Sequence, residues 1–412
     1  MSGKSYVAVL LAVISLFGCA GLQPTPYSGK AVPRIRVLLQ EGPEIRLETK
    51  GRYVLKINHR SLFPLPKKRE VVFRIPEKKG GIEVRMGSKR VLVEAAALTV
   101  AGRSGDRFRW QDTPFRGDAV LQRAGRRLRL VNLLGLEDYL KGVVAAELGK
   151  RGKKEFEALK AQAVAARTFA LAKLRRPGAP NRSFDLRADQ ADQVYKGSGL
   201  EYRRASMAVE ATTGEVIVFR DSLIQVFFHS TCGGRTESGG NVFPGADLPY
   251  LQGVADNFGN GDFCKDSPYY RWMESVTFEE MRNMLKSFAS SQGMSVPDLP
   301  ITNIFVAKRY TSGRVQDLVL LFGNGSDSIT LHGNSVRQAV RRADGRPLPS
   351  TLFKLLKFGP KGHPEGVLIV GAGNGHGVGM CQWGAVGMAR QGFNYRQILQ
   401  HYFRGTKVKK VY

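Results

Sequence analysis

The segment from Leu136 to Arg175 is the longest run of helical periodicity in the chain, and it constrains what the remainder can build. It divides near Gly149 and Gly152 into two helices. In the first, Leu136, Leu140, Val143 and Val144 recur at helical spacing and define one apolar face. The second, from about Glu155 to Leu174, buries Phe156, Leu159, Ala163, Ala166 and Ala170, and its alanines permit close helix packing. A helical core follows, with the rest of the chain arranged around it.

Glu147 interrupts that pattern. It falls a heptad after Leu140 and three or four residues after the two valines, so it points with them. A carboxylate among apolar neighbours is poorly hydrated, and in the last turn of a helix the dipole opposes its charge; both effects raise its pKa. A carboxyl group that keeps its proton near neutrality is a general acid. The competing reading is a helix-end Glu that finds a structural partner. Lys160 and Arg167, seven residues apart, form a neighbouring stripe on the second helix that either faces the same cleft or is solvated.

The charge of +28 over 412 residues points to an anionic partner, whether nucleic acid, lipid head groups or wall polymers. The N-terminus separates these. Lys4 precedes an apolar run from Val7 to Phe17, too short to span a membrane comfortably, and Leu16-Phe17-Gly18-Cys19 follows. Leu-x-Gly-Cys resembles a bacterial lipobox, which makes residues 1–18 a lipoprotein signal peptide, Cys19 the lipidated residue and 19–33 a flexible tether to the membrane. A plain secretory signal is the alternative. Either one exports the protein to the cell envelope and removes nucleic acid as a partner.

From 34 to 129 the chain reads as a β-rich subdomain, with IRVLL, EIRLET, YVLKI, VVFRI, IEVRM and RLRLVN as short strands between Gly, Pro and Lys-rich turns. The segment 130–412 carries the helices. Within it, about 273–360 looks like an insert: Thr277-x-x-Glu280 is a capping box opening a helix, strands are expected over 301–309, 315–322 and 328–331, and Ser335 caps a short helix. The fold class expected is α+β, a helical catalytic core packed with antiparallel β-rich subdomains.

Two further stretches stand out. Phe227 to Phe243, FFHSTCGGRTESGGNVF, offers glycine turns with hydroxyls, His229 and Glu237 for sugar hydrogen bonds, although small polar clusters are commonly ordinary turns. Near the C-terminus, GAGNGHGVGMCQWGA contains no G-x-G-x-x-G register, so a dinucleotide fingerprint fails; His376 and Gln382 project from this loop. Trp383, Tyr395 and Tyr402 are flat faces for sugar rings or core residues. Cys232 and Cys264 could pair as a disulfide, leaving Cys381 free. The zinc alternative begins with His229-x-x-Cys232 but lacks a second closely spaced pair, so no metal and no cofactor is expected.

Tyr139 to Glu147 and Glu157 to Thr168 resemble the signature of the SpoIID/LytB family, Y-L-x-G-V-V-A-x-E followed by E-A-L-K-A-Q-A-x-A-A-R-T. Gln193-Val194-Tyr195-Lys196-Gly197, the H-S-T-C-G-G segment and the G-H-G-V-G-M loop resemble three later blocks, with Cys381 replacing the usual Ser and Gly149 standing where a Pro is usual. The resemblance implies a peptidoglycan lytic transglycosylase that cuts between MurNAc and GlcNAc with Glu147 as the single catalytic acid and base. It implies functional roles for Lys160 and Arg167, and we assign His229, Glu237, His376 and Gln382 to substrate binding. The rivals are a non-catalytic wall-binding protein that stimulates an amidase, and a hydrolase pairing Glu147 with Asp138, Asp185 or Asp192.

Overall fold

The computed structural model describes residues 31–76, 80–176, 178–179, 182–257, 259, 261–293 and 295–412. The signal segment, Cys19 and most of the tether lie outside these residues. The architecture is α+β, as expected.

Two largely antiparallel sheets form the N-terminal part. One has six strands, among them Glu44–Lys50, Glu70–Arg74 and Ile82–Met86. Strand Glu44–Lys50 buries Ile45, Leu47 and Thr49 on alternate positions, the period-2 pattern of a half-buried strand. Each such Ile or Leu contributes roughly 1.5–3 kcal/mol relative to exposure. The other sheet has seven strands, and its centre pairs Arg34–Gly42 with Arg127–Gly135. The expected boundary at 129/130 falls inside strand Arg127–Gly135, which continues directly into the first helix. Leu186–Arg187 then adds to the same sheet in parallel with Arg34–Gly42, so one apolar core serves both regions.

Helix α1 spans Leu136–Leu148 and stops at Gly149, whose positive φ of 68° suits glycine. Helix α2, Phe156–Leu174, follows a short 3-10 turn. It packs on α1, on α3 (Arg203–Ala211), and on α6 (Gln382–Arg390) and α7 (Tyr395–Tyr402) near the C-terminus. Ala161, Ala163, Ala165 and Ala166 are all buried, so α2 is enclosed on nearly every side, not along one face. Small side chains make that central position sterically possible.

The insert contains helices α4 (Phe278–Gln292) and α5 (Ser335–Ala339) and one three-stranded antiparallel sheet, and a second such sheet is completed by strand Gly366–Gly371 beyond the expected end at 360. Its buried apolar residues, from Val276 to Ile369, form a second core cluster. The Thr277–Glu280 capping box is present. Ser335 differs from expectation: α5 begins at it, and its hydroxyl bonds back to His332, accepting from N (3.1 Å) and donating to O (2.7 Å). Among the described residues no helix is long and apolar enough to cross a membrane.

Candidate active site

Four distant segments meet at Glu147. Its carboxylate accepts from the backbone N–H of Val194 at Oε1 (2.9 Å) and from the Gln382 side-chain amide at Oε2 (3.1 Å). The same Gln382 nitrogen lies 3.4 Å from the side-chain oxygen of Gln162 on α2, and the Gln162 amide nitrogen is buried without a partner among the described residues. No cation pairs with the Glu147 carboxylate among the described residues. Burial pushes its pKa up, opposed by the Val194 and Gln382 donors, and the net direction is upward.

Backbone geometry places the Val194 donor. Gly142 faces the Gln-Val-Tyr-x-Gly loop so closely that a Cβ there would lie 2.4 Å from the Gly197 carbonyl oxygen and 2.8 Å from the Tyr195 ring. Tyr139 donates to the Gln193 side chain (3.1 Å) and Tyr195 to Asn132 (2.9 Å), tying the loop to α1 and to the sheet. Gln382 is placed by the first turn of α6, where the Trp383 N–H donates to Ser230 O (3.0 Å). Arg151 lies over the Trp383 ring at 4.5 Å, which sets a cation and an aromatic face beside Gln382.

Several expected substrate contacts have other roles. Arg167 is fully buried, with a bidentate pair to Glu137 (2.7 Å to each oxygen) and bonds to the Glu215 and Val209 carbonyls. It clamps the core and presents no surface to solvent. Lys160 pairs with Glu157 (2.7 Å) over the Phe156 and Tyr395 rings. It sits two residues, or about 200° of helix rotation, from Gln162, and so on the face away from Glu147. Glu237 is buried and saturated by Ser238 N (2.7 Å), Asn241 (2.9 Å) and the Ser312 hydroxyl. Tyr402 is core, and the Tyr395 hydroxyl donates to Glu215 (2.9 Å).

The rings of His229 and His376 lie 5.5 Å apart, tilted by 58°. His376 Nδ1 accepts from Val378 N (3.0 Å), so Nε2 carries the proton and donates to Phe228 O (3.1 Å). Burial holds both rings neutral, with His376 lowered to about 4 and His229 driven well below the usual range. His229 Nδ1 lies 3.1 Å from Val378 O, while its Nε2 is buried and unpartnered among the described residues.

The second carboxylates fare poorly. Asp185 is held by Arg36 (2.6 Å) and Asp192 by Lys173 and Arg187 N. Asp138, nine residues before Glu147, lies half a helix circumference away from it. Cys232 and Cys264 face each other at 3.6 Å between sulfurs, against about 2.05 Å for a disulfide. These two and Cys381 are free buried thiols.

Known proteins resemble this chain over much of its length. The SpoIID model, described as stage II sporulation protein, matches residues 124–219, which hold α1, α2 and the Gln-Val-Tyr loop. Stage II sporulation protein D of Bacillus amyloliquefaciens is 30% identical over 298 residues, covering 68% of this chain and 76% of that protein. The chain belongs to the SpoIID/LytB family. An uncharacterized protein of Brachyspira hyodysenteriae is 31% identical over 327 residues, covering 79% of this chain and 81% of its own. The amidase enhancer of Bacillus subtilis is 28% identical over 65% of this chain and 40% of its own length. Residues 259–379, containing the insert, match a domain of unknown function. The SpoIID/LytB family is cell-wall related.

Sequence reasoning singled out Glu147 and Gln382, which the structure brings together, and did not single out the Val194 N–H, Gln162 or Arg151 beside them. Gln-Val-Tyr was recognised as a block; that its middle residue acts through its backbone leaves no trace in residue type. Gln162 was legible as a polar residue in an alanine-rich buried helix.

Proposed function

We propose that this protein is a peptidoglycan lytic transglycosylase in which Glu147 acts first as acid and then as base. The environment of Glu147 carries this reading: a carboxyl group whose pKa is raised by burial, with two neutral donors and no paired cation among the described residues. As an acid it protonates the oxygen bridging MurNAc and GlcNAc. The carboxylate so formed is held by the Val194 and Gln382 donors, which favour its charged state. It then removes the proton of the muramic acid 6-hydroxyl, which closes on C1 to leave a 1,6-anhydro end. One carboxylate suffices, consistent with the ion-paired states of Asp185 and Asp192. Trp383 and Arg151 are proposed to line the sugar path.

The cationic chain suits an anionic wall, and an exported location with a lipid at Cys19 would hold it there. A second reading rests on the similarity to an amidase enhancer: a non-catalytic wall-binding protein that stimulates a partner amidase. Mass spectrometry of purified glycan strands after incubation with the protein alone separates the readings. Anhydro ends support the transglycosylase, reducing ends one water heavier indicate a hydrolase, and unchanged strands leave the enhancer role.

A further inference from the structure

Three cysteines and an aspartate from separated parts of the chain converge beside α6. They are Cys232 in the H-S-T-C-G-G segment, Asp256 and Cys264 in the loop after it, and Cys381 at the N-cap of α6. All four are buried, and their ligand atoms lie within 4.8 Å of one another. A tetrahedral zinc with Zn–S of about 2.3 Å separates its sulfurs by about 3.8 Å, since a tetrahedron's edge is about 1.6 times the centre-to-vertex distance. The Cys232–Cys264 separation of 3.6 Å matches that edge. We propose that Cys232, Asp256, Cys264 and Cys381 bind one zinc ion as a closed structural site.

The surroundings are arranged as zinc ligands require. The Cys381 sulfur accepts from the N–H groups of Cys232 and Gly384, both at 3.2 Å, and the Cys232 sulfur from Gly234 N–H at 3.4 Å. Asp256 Oδ2 accepts from Cys264 N–H (3.2 Å) and Oδ1 from the Tyr402 hydroxyl (2.5 Å). Such outer bonds fix ligand orientation and stabilise anionic ligands. Gly384 is sterically required: a Cβ would lie 2.1 Å from the Tyr402 hydroxyl oxygen and 2.4 Å from Asp256 Oδ1. The ligand atoms that lie within 4.8 Å of one another are those of the three cysteines and Asp256, and His229 is not among them. The proposal departs from the expectation of no metal and from the His229-x-x-Cys232 alternative, because the fold brings in Cys381 from 149 residues away.

Binding deprotonates the three thiols and releases their protons to solvent, with no change of oxidation state. A disulfide would engage only two of the three sulfurs. With four protein ligands the site is closed, so it staples the 232–264 segment to the start of α6, one residue before Gln382. This role holds whether or not Glu147 is catalytic.

The test uses the full chain purified without chelator. Native mass spectrometry is expected to give one zinc per chain, and cobalt(II) exchanged into the site to give the sulfur-to-metal charge-transfer absorption of a thiolate site. The cysteines are expected to resist alkylation until a chelator and denaturant are added. Cys264→Ser and Asp256→Asn should each weaken zinc retention at least 10-fold against a competing chelator. A metal-free native mass that does not change on adding zinc overturns the proposal, as does a denatured mass two hydrogens light from a Cys232–Cys264 disulfide. Both refuting results come from the wild-type protein, so a variant that fails to fold does not obscure them.

Discussion

The Gln382 side-chain amide donates to Glu147 Oε2 across 3.1 Å, joining residues 235 positions apart in sequence. Gln382 belongs to the first turn of α6 and Glu147 to the last of α1, and α2 packs against both helices. The bond favours the ionised carboxylate, while burial favours the protonated one, and burial prevails.

Removing the amide tests that balance. In Gln382→Ala the donor that lowers the pKa is lost, so the Glu147 pKa rises further and the alkaline limb of the pH–rate profile moves to higher pH. Activity at the optimum is expected to fall about 10-fold or more, since a hydrogen bond to a charged group is worth roughly 1.5–3 kcal/mol. Rates on purified strands across pH measure both effects.

Arg167 is assigned a structural role by its bidentate pair with Glu137 and its complete burial. Glu137→Gln leaves a buried guanidinium without its counter-charge and should cost about 3–5 kcal/mol in denaturant unfolding. Arg167→Lys should also destabilise, because a point ammonium cannot reproduce the fork. A change in KM at unchanged stability would instead return Arg167 to the substrate.

Gly142→Ala inserts a methyl group into the contact between α1 and the Gly197 carbonyl. The expected cost is about 1–3 kcal/mol in stability, as for other overpacked sites. Activity should fall as well, because the Val194 N–H moves away from Glu147.

His376 is held neutral with its pKa lowered to about 4 from the usual 6.5. The unfolded chain therefore binds more protons between those values, and stability falls as pH drops from about 6.5 toward 4. His376→Gln removes this titration. Unfolding curves for the two proteins should converge in slope against pH above about 6.5 and diverge below it.

Much of the architecture was readable from local pattern. Leu136 to Leu148 and Phe156 to Leu174 form the two helices expected, and the strands Ile301–Arg309 and Val315–Phe322 end where the periodicity ends. Glu147 was legible because a charge on an apolar stripe is a local anomaly. The burial and pairing of Arg167 were not legible because its partner Glu137 lies 30 residues earlier, and spacing along one helix cannot report what a neighbouring helix presents. The surroundings of Glu237 were hidden for a related reason: Ser312, one of its three donors, comes from the insert. The cysteine cluster escaped because its members are scattered, and no short spacing marks a site that only tertiary folding assembles.

The most direct test of the account is digestion of purified glycan strands by Glu147→Gln beside the wild type, with folding checked by thermal unfolding. The substitution is nearly isosteric and removes a buried titratable group, so the variant should be as stable as the wild type at neutral pH. The account predicts anhydro-ended fragments from the wild type and a loss of about 100-fold or more from the variant, as for removal of an acid–base catalyst. A folded Glu147→Gln protein that still releases anhydro ends at the wild-type rate would contradict it.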